Sequence, residues 1–299
     1  MAYVQSILIP ASPQRLTQWQ RLRRRWSERP ERVLLVLPIG FLAFFFLYPF
    51  SKMVASSFGG PHLLIWYRDL FNDPLLHDSA IRTFSVGITC TILCVVLGVP
   101  VAYAISRPRT PGRRVLLAIV LATFWVSILI RAYSWVVILQ DNGMVNSFLG
   151  FIHVTQQPIE LEQNTLGVGI GMTHFLLPYM ITVLLPSMAA IDPRLINAAH
   201  SLGAGRSRTM LRIILPLSVG GIAAGSILTF ILSLGFFVMP AIIGGPGVLF
   251  LANLIGQQVG LYQNFGEASA MAVTLTLIVI VIYLGLLRLI DPGRILGGR

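Results

Sequence analysis

The stretch Asn197–Pro216, which reads NAAHSLGAGRSRTMLRIILP, is short, basic and glycine-bearing, yet long apolar blocks flank it on both sides. Over the whole chain of 299 residues, 55% are hydrophobic and only 11% are charged, whereas soluble domains carry about 25% charged residues. Apolar runs of about twenty residues are typical of membrane spans. The composition therefore predicts an integral membrane protein in which this stretch joins two spans.

The fold class predicted from the apolar blocks is an all-α integral membrane protein with six transmembrane helices. Each block is close to the ~20 residues that a ~30 Å hydrocarbon core requires. Pro178 and Pro186 in the fourth block, and Pro240 near the end of the fifth, predict kinks or broken helices. The predicted spans are 33–57, 80–105, 115–139, 166–190, 213–242 and 267–288.

The arginines predict the orientation of these spans. They concentrate in the N-terminal tail, in segments 106–114 and 191–212 and at the C-terminal end, whereas segments 140–165 and 243–266 contain no Lys or Arg. Because basic loops stay on the cytoplasmic side, both termini and segment 191–212 are expected in the cytoplasm. The predicted domains are a cytoplasmic tail (1–32), a transmembrane domain (33–290, with its first helix at 33–57 and its core at 80–288) and a C-terminal tail (291–299).

The beginning of the cytoplasmic stretch predicts a short amphipathic helix between the fourth and fifth spans. Asp192 is a suitable N-cap and Pro193 a suitable first helical residue. Ala198 and Ala199 favour helix, and Gly203 is placed to end it in a left-handed conformation. The helix is expected to lie across the inner face of the membrane.

The glycines of the same stretch do not form a nucleotide-binding loop. Gly203 and Gly205 are followed by Arg208 where the dinucleotide pattern needs a third glycine, and no strand precedes them. The phosphate-binding loop of ATPases requires a lysine, and the only lysine, Lys52, follows Ser51 in an apolar helix. No cofactor is therefore expected in this chain, and any use of ATP would depend on another subunit.

The stretch resembles the EAA loop of ABC importer permeases, whose pattern is E-A-A-x3-G-x9-I-x-L-P. Six positions match at the spacing of that family, and the first position departs from it, because Asn197 stands where the family has glutamate. The matching residues are Ala198, Ala199, Gly203, Ile213, Leu215 and Pro216.

This resemblance implies a non-enzymatic permease subunit of a bacterial inner membrane importer that works by alternating access. The short helix would dock in a cleft of a cytoplasmic ATPase dimer, which would hold the ATP and Mg. The other implied partners are a second, homologous permease subunit, an extracytoplasmic solute-binding protein and membrane lipid, with no nucleic acid. The residues expected to couple the chain to the ATPase are Asp192, Asn197, Ala198, Ala199, Gly203, Ala204, Arg206 and Pro216.

Three further runs, at 124–149, 176–180 and 242–246, resemble spermidine/putrescine-type permeases. They imply a polyamine or a related amino-bearing solute, although permeases for opines share such runs. The predicted spans hold almost no carboxylates, so amines would be held by a partner subunit or by aromatic faces, or the solute is not a polyamine. A self-sufficient secondary transporter or channel is the alternative, but it would need coupling-ion sites and usually an internal repeat.

Polar and aromatic residues in and beside the spans are candidates for the solute pathway. Arg131 is an intramembrane arginine that could also snorkel to the interface, and His174 could instead be a packed histidine. Glu267 could meet a cationic solute or simply favour the start of the sixth span. No cluster has the spacing of a metal site, so no metal is predicted. The pathway candidates are Arg131, Tyr133, Trp135, His174, Tyr179, Phe236, Phe237, Met239, Asn253, Gln257 and Glu267.

Small side chains inside the spans predict close helix packing. Cys90 and Cys94 lie four residues apart in one apolar block and are expected to be buried free thiols. The glycines of the fourth and fifth spans are expected either to meet a second subunit or to pack within the bundle. They are Gly167, Gly169, Gly171, Gly221 and Gly225.

Overall fold

The computed structural model describes residues 30–59, 64–107, 111–155 and 157–289. Most of the predicted N-terminal tail and all of the C-terminal tail 291–299 lie outside these ranges. The chain divides into two compact units, Met1–Ala55 and Ser56–Arg299. Every regular element in the described ranges is helical, so the predicted all-α fold is confirmed for them.

Fourteen α-helices are described, together with a 3-10 turn (Thr123–Trp125) and a π-helical turn (Met210–Ile214). The helices are α1 (Pro30–Ser57), α2 (Ile65–Asn72), α3 (Pro74–Ser106), α4 (Arg113–Ala122), α5 (Ile128–Leu139), α6 (Met144–Phe151), α7 (Thr165–Ala189), α8 (Pro193–Ser201), α9 (Arg206–Thr209), α10 (Leu215–Leu217), α11 (Val219–Leu234), α12 (Val238–Ile243), α13 (Leu251–Gly260) and α14 (Phe265–Leu289).

Helix α1 corresponds to the predicted first span and continues through Pro38 and Pro49 without interruption. Its aromatic rings pair at intervals of four residues, so the two members of each pair share a face of the helix while the two pairs lie on opposite faces. Phe44 stacks on Tyr48 with ring centroids 5.7 Å apart, and Phe46 stacks on Phe50 at 6.0 Å.

Helices α3 and α7 form the centre of the second unit and run parallel to each other. The Cys90 thiol donates to the carbonyl of Gly169, and the Cys94 thiol donates to the carbonyl of Thr173. The bonded residues are 79 positions apart in both pairs. Moving towards the C-terminus of α3 therefore also moves towards the C-terminus of α7, which makes the two helices parallel. Both thiols are fully buried and free, as the sequence predicts.

Helix α11 packs antiparallel against α7 through glycines. The Cα of Gly221 lies against the Ser187 side chain, and a Cβ built on Gly225 would lie 2.6 Å from Sδ of Met180. Later residues of α11 thus meet earlier residues of α7. Of the two roles open to these glycines, the described chain shows packing within the bundle.

The break predicted near Pro240 is observed, whereas the other breaks differ from those predicted. Helix α7 continues through Pro178 and Pro186, because α3 and α11 pack along it and support the helix where proline removes a hydrogen bond. The third predicted span is bent by 105° between Arg113–Trp125 and Ile128–Phe151, and the fifth is bent by 71° after Leu217. The fifth span also ends at Leu234, and Pro240 lies in the separate helix α12.

Four of the described helices are long and apolar enough to cross a membrane, and the two bent pairs raise the number to six if each is one span. The four straight candidates are Leu35–Ser57, Pro74–Ser106, Thr165–Ala189 and Phe265–Leu286. Their positions agree with the first, second, fourth and sixth predicted spans.

Short helices also lie at the end of the second unit that is opposite α8. One of them, α2, was not predicted from the sequence. Helix α2 packs on α14, where the Trp66 ring lies so close to Gly266 that a Cβ there would come within 2.7 Å of it. A small buried hydrophobic cluster packs α2, α13 and α14 against one another through Leu70, Leu254 and Met271. Helix α13 lies between the fifth and sixth predicted spans.

The close contact of α7 with α11 yields a stability prediction. Gly225→Leu should lower the free energy of unfolding by about 1–3 kcal/mol, since overpacking costs this much and Met180 is fully buried. Thermal unfolding of the purified chain in detergent measures the effect. Gly285→Leu on α14 is the matched control, because a Cβ at Gly285 meets no atom within 4 Å. Equal unfolding temperatures for the two variants would contradict the packing described.

Candidate functional site

Helix α8 forms the part of the site that the sequence pattern singled out. The Asp192 side chain accepts a hydrogen bond of 2.8 Å from the amide of Arg194, and Pro193 is the first residue of the helix. Both features satisfy the requirements of a helix start, where amides have no intrahelical acceptor. The N-terminus of α8 is therefore fixed by residues adjacent in sequence.

The C-terminus of α8 is closed by Gly203. This glycine has φ +80°, its amide donates to the carbonyl of His200 at 3.0 Å, and the Ala204 amide donates to the carbonyl of Ala199 at 2.9 Å. These two hydrogen bonds and the positive φ define a Schellman motif. The expected end of the helix at Gly203 is thus observed.

The two faces of α8 differ in exposure. Ile196 and Ala199 are buried against the rest of the chain, whereas Asn197 and Ala198 are exposed. Leu202, which sequence reasoning did not select, is 88% exposed at the C-terminal end of the helix. Of the expected coupling residues, Ala199 therefore faces inward. The exposed surface of α8 presents small and apolar side chains together with the charged side chain of Arg194.

The remaining coupling candidates follow α8 and lie at different places. Arg206 is the exposed first residue of α9. Pro216 lies in α10, between the π-helical turn and the 71° bend. π-Helical turns are rare and frequently mark functional positions in helices. Pro216 therefore belongs to the bent connection between α8 and α11 and not to α8 itself.

A second group of candidates lies around Arg131, which is half-buried, and includes the exposed His174. The guanidinium carbon of Arg131 lies 4.2 Å from the ring centroid of Phe175. Phe175 in turn stacks on Tyr179 at 5.7 Å and meets Phe236 edge-on at 4.9 Å, and Phe124 packs on Tyr179 at 5.0 Å. Arg131, Tyr179 and Phe236 are thus brought together by two phenylalanines that the sequence did not single out.

The indole of Trp135 continues this cluster. Its Nε1 donates a hydrogen bond of 3.2 Å to Nδ1 of His174, and the two rings meet edge-on at 5.5 Å. An indole nitrogen only donates, so the imidazole must accept at Nδ1 and carry its proton on Nε2. The geometry therefore assigns a neutral tautomer to His174.

Arg131 has no carboxylate partner in the part of the chain that the structure describes, and its buried Nε has no hydrogen bond there. A guanidinium over a ring face gains cation–π attraction but keeps its full charge. The cluster of Arg131, Trp135, His174, Phe175, Tyr179 and Phe236, here named the aromatic cluster, is therefore an apolar, π-rich region with one positive charge.

The other pathway candidates lie outside the aromatic cluster. Tyr133 is exposed on the opposite face of α5, and Met239 is fully buried against Gly171. Phe237, Asn253 and Gln257 line a separate cleft of about 510 Å³ between α12 and α13. The Asn253 amide donates to the carbonyl of Phe237 at 3.1 Å, which closes one side of this cleft.

Glu267 caps the start of α14. Its carboxylate accepts from Nε2 of Gln258 at 2.9 Å and from Nδ2 of Asn264 at 2.8 Å, while its own amide donates to Oδ1 of Asn264 at 3.3 Å. Only the bond from the Glu267 amide to Asn264 matches a capping box, because the backbone amide of Asn264 donates to the carbonyl of Gln258 and not to Glu267. The contacts of Glu267 in the structure are those of a residue at a helix N-terminus, and its role towards a cationic solute stays a prediction.

Several long apolar helices, two of them bent, pack around the parallel pair α3 and α7, which is the architecture of a multi-helix membrane protein. Residues 94–295 match the family described as the binding-protein-dependent transport system inner membrane component, and the chain belongs to this family. It is a permease subunit of an ABC importer, which is a transport subunit rather than an enzyme.

Relatives and solved structures agree with this family. The chain is 31% identical over 257 residues to the spermidine/putrescine transport system permease protein PotB of Haemophilus influenzae, covering 83% of this chain and 90% of that protein. It is 32% identical to the inner membrane ABC transporter permease protein YdcU of Escherichia coli K12, covering 74% of each.

Among solved structures, the chain resembles one from a bacterial alginate ABC transporter in complex with an alginate pentasaccharide-bound periplasmic protein. The TM-score is 0.75 at 19% identity, covering 93% of this chain and all of that one. The inward-facing MetNI methionine ABC transporter gives a TM-score of 0.55 at 20% identity over 72% of this chain and 94% of that one. At such identities the likeness concerns the fold alone.

The conformation of Gly203 generates a prediction for α8. Gly203→Ala should speed hydrogen exchange of the amides of residues 203 and 204 by about 5- to 30-fold, since a side chain at φ +80° costs about 1–2 kcal/mol. Hydrogen exchange with mass spectrometry measures it. Gly205→Ala is the control, because Gly205 has φ −67° and equally open surroundings. A similar change in both variants would refute the Schellman cap.

Proposed function

We propose that this chain crosses a bacterial cytoplasmic membrane six times, with both termini in the cytoplasm, and is driven by a separate ATPase that docks on α8. The parallel course of α3 and α7 and the antiparallel course of α11 support this, because alternating spans require these directions. In this orientation α8 and the basic segments 106–114 and 191–212 share the cytoplasmic side.

The observation that carries the coupling proposal is the form of α8. It is a short helix capped rigidly at both ends, one face of which is buried in the bundle while the other presents Asn197, Ala198 and Leu202. Because both ends are capped, movement of the ATPase would displace α8 as a rigid unit. Its buried face would pass this displacement to the membrane spans. With Asn197 in place of an acid, docking on this chain would rest on apolar contact and on exposed basic residues such as Arg194 and Arg206.

The proposed assembly contains a second, homologous permease subunit, a cytoplasmic ATPase dimer with its ATP and Mg, and an extracytoplasmic solute-binding protein. The ATPase supplies the energy, the binding protein delivers the solute, and the two permease chains expose the pathway to one side of the membrane at a time. Coupling-ion sites, which the alternative of a secondary transporter needs, are not required.

The proposed solute is a polyamine or a related amino-bearing compound. The names of several relatives, among them the PotB proteins, support this assignment. The only carboxylate in the six predicted spans is Glu267, and both its oxygens already accept hydrogen bonds. Amines in this chain would therefore be held by the aromatic cluster through cation–π contacts, or by acids of the second permease.

Leu202 provides a test of ATPase docking. Leu202→Asp should abolish co-purification of the chain with its ATPase while leaving its amount in the membrane unchanged, because an 88% exposed side chain has few internal contacts to lose. Pull-down of the tagged permease measures the association. Phe151→Asp, at an equally exposed position of α6 on the predicted outer side, should retain the ATPase. Retention by the Leu202 variant would refute docking on α8.

The solute is tested with the binding protein encoded with this chain. Thermal shift against a panel of polyamines, amino acids, sugars and oxyanions should show stabilisation by spermidine or putrescine, since a ligand that binds only the folded state raises its unfolding temperature. Stabilisation by a sugar or an oxyanion alone would refute the polyamine assignment and leave the importer family unaffected.

A further inference from the structure

The end of α3 nearest to α8 is held by Arg107. Its two terminal guanidinium nitrogens donate to backbone carbonyls on the other side of the contact, Nη1 to Ile191 and Nη2 to Met188, each at 3.3 Å. These carbonyls belong to the end of α7 and to the turn that leads into α8. A cation is favoured there, because carbonyls at a helix C-terminus carry partial negative charge.

Tyr103, one turn before Arg107, extends this contact to α8 and to the π-helical turn. The guanidinium carbon of Arg107 lies 5.0 Å from the centroid of the Tyr103 ring. The ring packs against a buried cluster formed by Ile191, Ile196 and Ile214. Ile196 lies on α8 and Ile214 ends the π-helical turn, so the Arg107–Tyr103 pair contacts the end of α7, helix α8 and the π-helical turn.

The following segment is tied back to the same end of α3. Nε of Arg113, the first residue of α4, donates to the carbonyl of Ile105 at 2.7 Å. Helices α3 and α4 are thereby fixed to each other where the chain passes from one to the other. The end of α3 therefore cannot move independently of the start of α4.

The other end of α3 carries a similar contact. Nη1 of Arg82 lies 3.3 Å from the carbonyls of both Gly247 and Leu249, in the segment that leads into α13. Between Arg82 and Arg107 the helix spans about 37 Å at 1.5 Å per residue. Arginine contacts therefore fix α3 at two places. Arg107 fixes it beside α8, and Arg82 fixes it beside the cleft lined by Phe237, Asn253 and Gln257.

We propose that Arg107 is a positioning residue that transmits the movement of α8 to α3. This inference rests on the proposed docking of an ATPase on α8. When the ATPase moves α8, the carbonyls of Met188 and Ile191 pull on the guanidinium, and α3 carries the displacement towards the outer cleft. Arginine suits this role because its planar fork engages two acceptors at once, whereas a lysine ammonium acts as a point charge on a flexible stem.

The test measures solute transported per ATP hydrolysed, in proteoliposomes that contain the complete transporter and its binding protein. Arg107→Gln should lower this ratio at least tenfold, while ATPase co-purification and basal ATP hydrolysis stay within about twofold of the unaltered protein. Arg107→Lys should recover only part of the ratio. Arg114→Gln is the matched control, because Arg114 is an exposed arginine close to Arg107 in sequence.

Tyr103→Leu removes the ring and leaves the two hydrogen bonds of Arg107 in place, and it should lower the ratio by a smaller factor. If Arg107→Gln fails to accumulate in the membrane, the Tyr103→Leu variant tests the inference in its place. A role in folding alone would lower uptake and hydrolysis in proportion and leave the ratio unchanged, which would overturn the inference. If the unaltered chain instead fails to bind its ATPase, the proposed function itself is refuted.

Discussion

The close parallel contact of α3 with α7 is the constraint on which the other elements depend. Within a membrane no hydrophobic force draws helices together, so association relies on small residues that allow close approach and on hydrogen bonds between helices. Here the thiols of Cys90 and Cys94 donate across the contact, and Gly98 lies so near Met180 that a Cβ would come within 2.9 Å. Because α7 continues directly into the turn before α8, this contact also sets the position of α8.

Features determined by neighbouring residues could be predicted from the sequence. The caps of α8 need only Asp192, Pro193 and Gly203, and each acts within a few residues of itself. The straight spans could likewise be predicted, because length and apolarity are enough to define them. The bend of the third span could not. No proline or glycine lies in 113–127, yet the chain turns by 105° there, while α7 passes two prolines unbroken because α3 and α11 support it.

The site shows the same division between local and long-range signals. Arg131, Trp135 and His174 are conspicuous because polar or amphipathic residues are unusual in a span. Phe175, which joins Arg131 to the other rings, is one phenylalanine among seventeen and has no distinguishing pattern. Arg107 could be recognised from its sequence position as a cytoplasmic charge, but its acceptors lie more than eighty residues away. Their identity depends on how α3 and α7 pack.

The positive charge of Arg131 would weaken the binding of a polyamine to the aromatic cluster. At an effective dielectric constant of about 20, a protonated amine about 7 Å from the guanidinium is repelled by about 2.4 kcal/mol. That repulsion weakens binding by about 50-fold, and Arg131 also occupies one face of Phe175, which the amine would otherwise use. A pathway must bind its solute well enough to admit it and weakly enough to release it. Under the proposed function, the fixed positive charge of Arg131 would favour release of a dication from the π faces, and delivery by a binding protein would favour its entry.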